Sequence, residues 1–184
     1  MKPIVKIAGL LAVALSTTFA QQAKPAGGGA ALAFTLTSSA FAPGAAIPAQ
    51  YSCKGADTSP PLEWSGVPAN TATFAIIMDD PDAPGGTWVH WVLWNLPAAA
   101  QSLPEGVPKR EQLDGGARQG RNSFHKTVYN GPCPPAGATH RYFFRLYALD
   151  AKLDLAAGAS RSQLDAAMKG HVLAETEYMG TFHK

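Results

Sequence analysis

The sequence predicts a mainly β fold, an antiparallel β-sandwich with few helices. Three observations carry this. Eighteen glycines and fifteen prolines in 184 residues punctuate short apolar runs. Those runs either alternate with the period of a half-buried strand or are rich in β-branched and aromatic residues. Only one stretch, late in the chain, combines helix formers with helix start and stop signals.

The elements follow in order. Phe34-Thr-Leu-Thr37 alternates apolar and polar as a half-buried strand does. Residues 72–78 and 89–95 read as fully buried strands. The segment Tyr51-Ser-Cys53 is taken as a further short strand. Residues 97–119 hold Gly and Pro with little apolar periodicity and read as a long surface connection, which often carries function. Tyr142-Phe-Phe-Arg-Leu-Tyr-Ala-Leu149 is the strongest strand. Apolar residues on both its faces predict that both are covered. Ser160-Arg-Ser162 offers cap hydroxyls, residues 163–168 are good helix formers, and Gly170 supplies the stop. A last strand spans residues 171–181.

The N-terminus reads as a targeting segment. A short basic stretch through Lys6, an apolar core over residues 7–15 and the small-x-small site Thr18-Phe-Ala20 form the layout of a secretory signal peptide, residues 1–20. The apolar run is shorter than the roughly 20 residues a spanning helix needs. Residues 21–31, rich in Ala, Gly and Pro, read as a flexible linker, and residues 32–184 as one domain. The chain is then exported, to a periplasm or beyond, without a transmembrane segment. Removing Lys2 and Lys6 from 15 basic residues leaves 13 against 13 acidic ones. A neutral chain without a Lys/Arg run offers no nucleic-acid footprint.

Two cysteines, Cys53 and Cys133, enter an oxidising compartment. Bridged, they would close a loop of about 80 residues and contribute roughly 4 kcal/mol. Unbridged, they are two buried thiols. Neither has metal-ligand spacing to another Cys or His.

The chemistry concentrates in two segments, Asp80-Pro-Asp-Ala-Pro-Gly-Gly-Thr-Trp-Val-His90-Trp and Tyr129-Asn-Gly-Pro-Cys-Pro-Pro-Ala-Gly137, which runs on to His140-Arg-Tyr142. If the strands starting near Val89 and Tyr142 are neighbours, His90 and His140 meet. Two imidazoles, the Tyr142 phenol and backbone N–H groups from Gly131 onward suit a phosphate or carboxylate. Asp80 or Asp82 would fix an imidazole tautomer or meet a ligand amine, and the prolines would stiffen the rim. Each residue also has a structural reading: histidines packed at strand ends, Asp80-Pro-Asp82 as a turn, and Trp88, Trp91 and Trp94 as core, with Trp88 able to wall a pocket. Asp80, His90 and His140 as a metal triad lack the tight His-x-carboxylate pair such sites use.

Enzyme signatures are scarce. The chain has no Gly-x-Ser-x-Gly elbow, Walker loop or dinucleotide fingerprint, so no cofactor is implied. Cys133 beside His140 would be a thiol nucleophile with its base only if the thiol is free. The residues read as a binding protein, not an enzyme.

At these positions the chain resembles the phosphatidylethanolamine-binding protein family, in its bacterial Raf-kinase-inhibitor-like branch. The resemblance runs from about Phe34 to Phe182 and rests on Tyr51-Ser-Cys-Lys-Gly55, Ser59-Pro-Pro-Leu-Glu-Trp64, Asp80-Pro-Asp-Ala-Pro84, Trp88-Val-His-Trp91, Gly120-Arg-Asn122, Gly131-Pro-Cys-Pro-Pro135 and His140-Arg-Tyr142. It implies a large antiparallel sheet, a smaller sheet and few helices. It also implies a small anion-accepting cavity lined by Asp80, His90, His140 and Tyr142, with Ala83, Pro84, Trp88, Gly131, Cys133 and Pro134 on its rim. The loop departs from the branch's Gly-Lys-Thr-Gly-Tyr-Gly-Gly-Pro at His125, Val128 and Asn130. His125 either adds a third imidazole or faces water. The kinase-inhibitor role does not transfer to an exported chain.

Two functions follow as expectations. The first is an exported, non-enzymatic protein binding a small anion, such as a phosphorylated head group or a carboxylate. The second is a protein-interaction module, an inhibitor of an exported protease or a modulator of signalling, that contacts its partner through residues 97–119.

Overall fold

Strand signals of the two kinds sort into two antiparallel sheets in the computed structural model, which describes Met1 and residues 33–184. The signal-peptide and linker readings therefore lie, Met1 apart, outside the described residues. The strands are β1 (Thr35–Thr37), β2 (Leu62–Ser65), β3 (Thr73–Asp80), β4 (Trp88–Pro97), β5 (Ser102–Leu103), β6 (Arg118–Gln119), β7 (Thr139–Leu149) and β8 (Val172–His183), with helix α1 (Arg161–Met168) before the last. The small sheet has the order β1-β2-β5, and the large one β6-β4-β3-β7-β8.

Central strand β3 is buried along its whole length because both of its faces are covered. Phe74, Ile76 and Met78 pack with Trp91, Leu93, Phe144 and Leu146 against Leu36, Leu62, Trp64 and Leu103 of the small sheet. Ala75 and Ile77 point the other way, packing with Val92, Trp94 and Leu149 against Leu153, Leu164 and Met168, the last two on α1. Each large apolar side chain so buried contributes about 1.5–3 kcal/mol.

Helix α1 starts where its caps demand. Ser160 Oγ accepts from the Gln163 amide, and the Gln163 side chain accepts from the Ser160 amide, closing a capping box. Gly170, at φ 85°, supplies the turn that ends the helix.

Three sequence expectations need correction. Tyr51-Ser-Cys53 is no strand: a 3-10 turn spans Ala49–Tyr51. The Ser52 amide and hydroxyl both go to the Ala49 carbonyl, at 3.0 and 2.8 Å, so a local bond replaces a ladder bond. Residues 97–119 are not a bare connection, since β5 completes the small sheet and β6 edges the large one. Their short ladders leave no room for a readable period. The outer face of β7 is covered only from Tyr147 onward, where the α1 cluster begins. Before that, Phe143 is half-buried between the Arg141 and Arg145 guanidinium groups, 5.7 and 5.1 Å from its ring centre.

Candidate functional site

β4 and β7 do not pair with each other; β3 lies between them. Because β3 runs antiparallel to both, its C-terminal end meets their N-terminal starts, with Asp79 opposite both Val89 and Phe143. The two histidine segments thus converge on the end of β3. What sits between them there is Asp80.

A bulge aims the first histidine. Along β3 and β4 the register passes from Met78 opposite Trp91 to Asp79 opposite Val89, leaving His90 as the extra residue. It shares the inner side with Trp91 and stacks edge-on against Tyr142, with ring centres 5.2 Å apart. Its carbonyl accepts from the Asn130 amide at 3.2 Å and from Asn122 Nδ2 at 3.1 Å. The Asn122 carboxamide organises the following loop. It also donates to the Val128 carbonyl and Asn130 Oδ1, and accepts from the amides of Phe124 and Lys126.

Both imidazoles are pinned through the same ring atom. His90 Nδ1 lies 2.8 Å from the Asn130 carbonyl, and His140 Nδ1 lies 2.8 Å from Asp80 Oδ2. A carbonyl and an ionised carboxylate can only accept, so in each ring Nδ1 carries the hydrogen and Nε2 is left over. Desolvation holds the pKa of His90 below the ordinary histidine value, opposed by the Asn130 carbonyl and the charge of Asp80. Asp80 is itself oriented by the Asp82 amide, at 2.9 Å on Oδ1. Asp82 does not join the histidines. It chelates the exposed guanidinium of Arg141 at 2.9 and 2.7 Å, which lowers its pKa to about 2. Alternation along β7 thus sends His140 inward to Asp80 and Arg141 outward to Asp82.

A cavity of 340 Å³ opens here, lined by Asp80, Ala83, Pro84, Trp88, His90, Phe124, Cys133, Pro134, Pro135, His140 and Lys184. Eight of the ten anticipated residues are on this wall. Tyr142 stands behind it, fully buried against His90, its hydroxyl without a hydrogen-bond partner among the described residues. Burial first, and the charge of Asp80 next, push its pKa well above the ordinary value. Gly131 is also off the wall. Its amide donates to Asp57 Oδ1 at 2.6 Å, and a Cβ there would lie 1.9 Å from the Tyr51 carbonyl oxygen. The expected cradle of loop amides is therefore reduced: Gly131 is committed to Asp57, and Pro132, Pro134 and Pro135 have no N–H, which leaves the Cys133 amide within this stretch.

The loop is fastened from below by the disulfide Cys53–Cys133, with Cα atoms 5.5 Å apart, and by the Cys53 amide on the Pro132 carbonyl at 3.1 Å. A bridged Cys133 has no free thiol, which removes the nucleophile alternative. His125 is exposed and off the wall; of its two readings, the structure has the outward one. Asn130, where the branch has glycine, uses its side chain to bridge Asn122 and Asp57.

Phe124, Pro135 and Lys184 were missed on the wall, and Asp57, Asn122 and Asn130 behind it. Asn122 carried a signal within Gly120-Arg-Asn122, Pro135 within Gly131-Pro-Cys-Pro-Pro135, and Asn130 as a departure in the loop; Phe124, Lys184 and Asp57 carried none. A larger hollow of 720 Å³ beside Phe34 and Trp64 has no titratable lining. Another, of 510 Å³, holds Arg145 and Arg161, both paired to Asp79. Among the described residues no group of three or more His, Cys, Asp or Glu is arranged to hold a metal.

Comparison with known proteins extends these observations. The sequence model of the phosphatidylethanolamine-binding protein family matches residues 37–183. A UPF0098 protein of Methanothermobacter thermautotrophicus is 48% identical over 149 residues, covering 81% of this chain and 98% of the relative. One from Pyrococcus horikoshii is 43% identical over 185 residues, 99% of this chain and 92% of the relative. Among solved structures, a phosphatidylethanolamine-binding protein homologue of Chlamydia trachomatis superposes with a TM-score of 0.76 at 43% identity, over 83% of this chain and 98% of that one. E. coli YbcL, described as a member of the mammalian family, gives 0.75 at 34%, over 82% and 98%.

Proposed function

The chain belongs to the phosphatidylethanolamine-binding protein family, and from that premise we propose that it is an exported, non-enzymatic binding protein whose cavity holds one small anion, a phosphate, a phosphorylated head group or a carboxylate. The observation that carries this reading is the matched pinning of His90 and His140 through Nδ1, which leaves two Nε2 atoms for one cavity. Neutral, those atoms present lone pairs; protonated, they become two charge-assisted donors. The wall also offers neither a hydroxyl nor a free thiol, which supports binding over turnover.

The sign of the pH dependence follows. An oxyanion is repelled by a neutral Nε2 and held by a protonated one, so binding takes up protons and affinity rises as pH falls. His90, whose pKa burial lowers, is the ring that anion binding would push back up. The test is a titration with inorganic phosphate between pH 8 and 5.5, following the histidine ring NMR signals. Sulfate is run alongside because its charge is fixed over that range. Two rings should shift saturably, and more tightly at lower pH for both anions. No shift at millimolar anion, or a flat sulfate profile, would count against the reading.

A further inference from the structure

We propose that Lys184 is the residue that gives this cavity its hold on an anion at neutral pH. The inference rests on the anion-binding reading and assigns a role to a side chain outside the histidine–aspartate group. Its basis is the state of the ammonium. Lys184 lines the cavity, and the one hydrogen bond of its side chain among the described residues runs to Cys133 Sγ, at 3.4 Å. A disulfide sulfur is a weak acceptor and carries no charge, so it leaves the ammonium uncompensated. The neighbouring Arg141 is already chelated by Asp82, and Lys54 and Lys126 are exposed and off the wall.

The position of Lys184 is set by its backbone. The Gly137 amide donates to its carbonyl at 2.6 Å, and its own amide donates to the Ala138 carbonyl at 3.3 Å. The end of β8 is thereby tied to the turn before β7, and the side chain is carried to the mouth beside the Pro132–Pro135 loop. The residue is half-buried and its long stem flexible, so the ammonium can follow a ligand with little rearrangement.

Charge balance on the wall shows why this matters. Among the side chains of the wall, with both imidazoles neutral, Asp80 contributes one negative charge and the Lys184 ammonium one positive charge. Without Lys184, one imidazole proton would only neutralise Asp80, and an anion would meet net positive charge only with both rings charged, which burial opposes at His90. The remaining charged and titratable neighbours do not substitute. Asp57 is held by Lys109, Asn130 and Gly131, and exposed His183 is bound to Thr139. Lys184 thus lets binding proceed with one imidazole charged instead of two.

The experiment compares the purified wild-type protein with Lys184→Ala and Lys184→Arg by calorimetric titration with sulfate and with phosphate at pH 5.5, 6.5 and 7.5. Lys184→Ala should weaken binding about tenfold or more at pH 7.5 and move the onset of sulfate binding to lower pH, while Lys184→Arg restores both. A purely structural role for the side chain would not move the pH onset. If Lys184→Ala binds both anions as wild type does at pH 7.5, the inference is wrong and the histidine reading stands. If the wild type binds neither anion at any of the three pH values, the anion reading itself falls.

Discussion

Asp80 and Asp82 carry the same functional group two residues apart, yet they do different work because of what faces them. Asp80 meets the inward His140, in a site that is almost dry. Asp82 meets the outward Arg141, in water. The consequence for stability can be signed. Asp82 has its folded pKa lowered from 3.8 to about 2, so its contribution is present above pH 4 and is lost as pH falls from about 4 toward 2. Solvent screens the pair, so the effect is small. Asp82→Asn should leave the urea midpoint nearly unchanged at pH 2 and lower it at pH 6, flattening the acid limb relative to wild type. Equal losses at both pH values would refute the assignment. At this scale the sequence was generous with the reacting groups: the Asp-Pro-Asp and His-Arg-Tyr strings are short and chemically distinctive. It was silent about Asp57 and about what Asn122 and Asn130 do, because a side chain that orders a loop through backbone carbonyls and amides leaves no spacing or period to read.

Among the elements, the helix was the easiest to place and the bulge the hardest. Ser160 and Gln163 announce the start of α1 by chemistry that is local in sequence, and α1 begins where that chemistry puts it. Ser160→Ala should therefore cost about 1 kcal/mol of unfolding free energy, read from chemical denaturation, and loosen the Leu164 and Met168 face on the sheet. A loss below about 0.3 kcal/mol would mean that tertiary packing alone holds the helix. The bulge in β4 has no such signature. His90 looks like any alternating strand residue, and strict alternation would have turned it away from Trp91. Its inward aim is decided by pairing with β3, a contact between strands that no single run of sequence reveals. The same holds for β3 lying between the histidine strands, which brings their histidines together without the direct neighbouring that the sequence made a condition.

For the molecule as a whole, the sandwich was legible because burial on two faces writes apolar runs, and short turns write Gly and Pro. The two-residue strands β5 and β6 were not, being held by their neighbours rather than by their own composition. The cavity inherits its stiffness from a long-range covalent tie. The bridge joins positions 80 residues apart and fixes the proline loop to the turn at Tyr51. Reducing it in the folded protein should lower unfolding free energy by roughly 4 kcal/mol on the loop-entropy estimate. It should also weaken anion binding, because the wall containing Cys133 and Pro134 loses its anchor. A Cys53→Ser/Cys133→Ser variant with unchanged stability would show that the packing of Gly131 on Tyr51 suffices alone.

Strand β8 closes the large sheet and is its longer margin, twelve residues against the two of β6. The segment from Gly44 to Ile47 lies along its far end, through bonds to Met179 and Thr181, and shields that half. The near half, from Val172 to Glu177, presents Val172 and Leu173 to solvent, and its guards are Glu175 and Glu177. Glu177 is paired with Arg145 at 2.6 Å, so Glu175 is the keeper of solitude: its charge makes it costly for another copy's strand to extend the sheet. Without that charge, edge-to-edge association becomes the route by which this fold would leave solution.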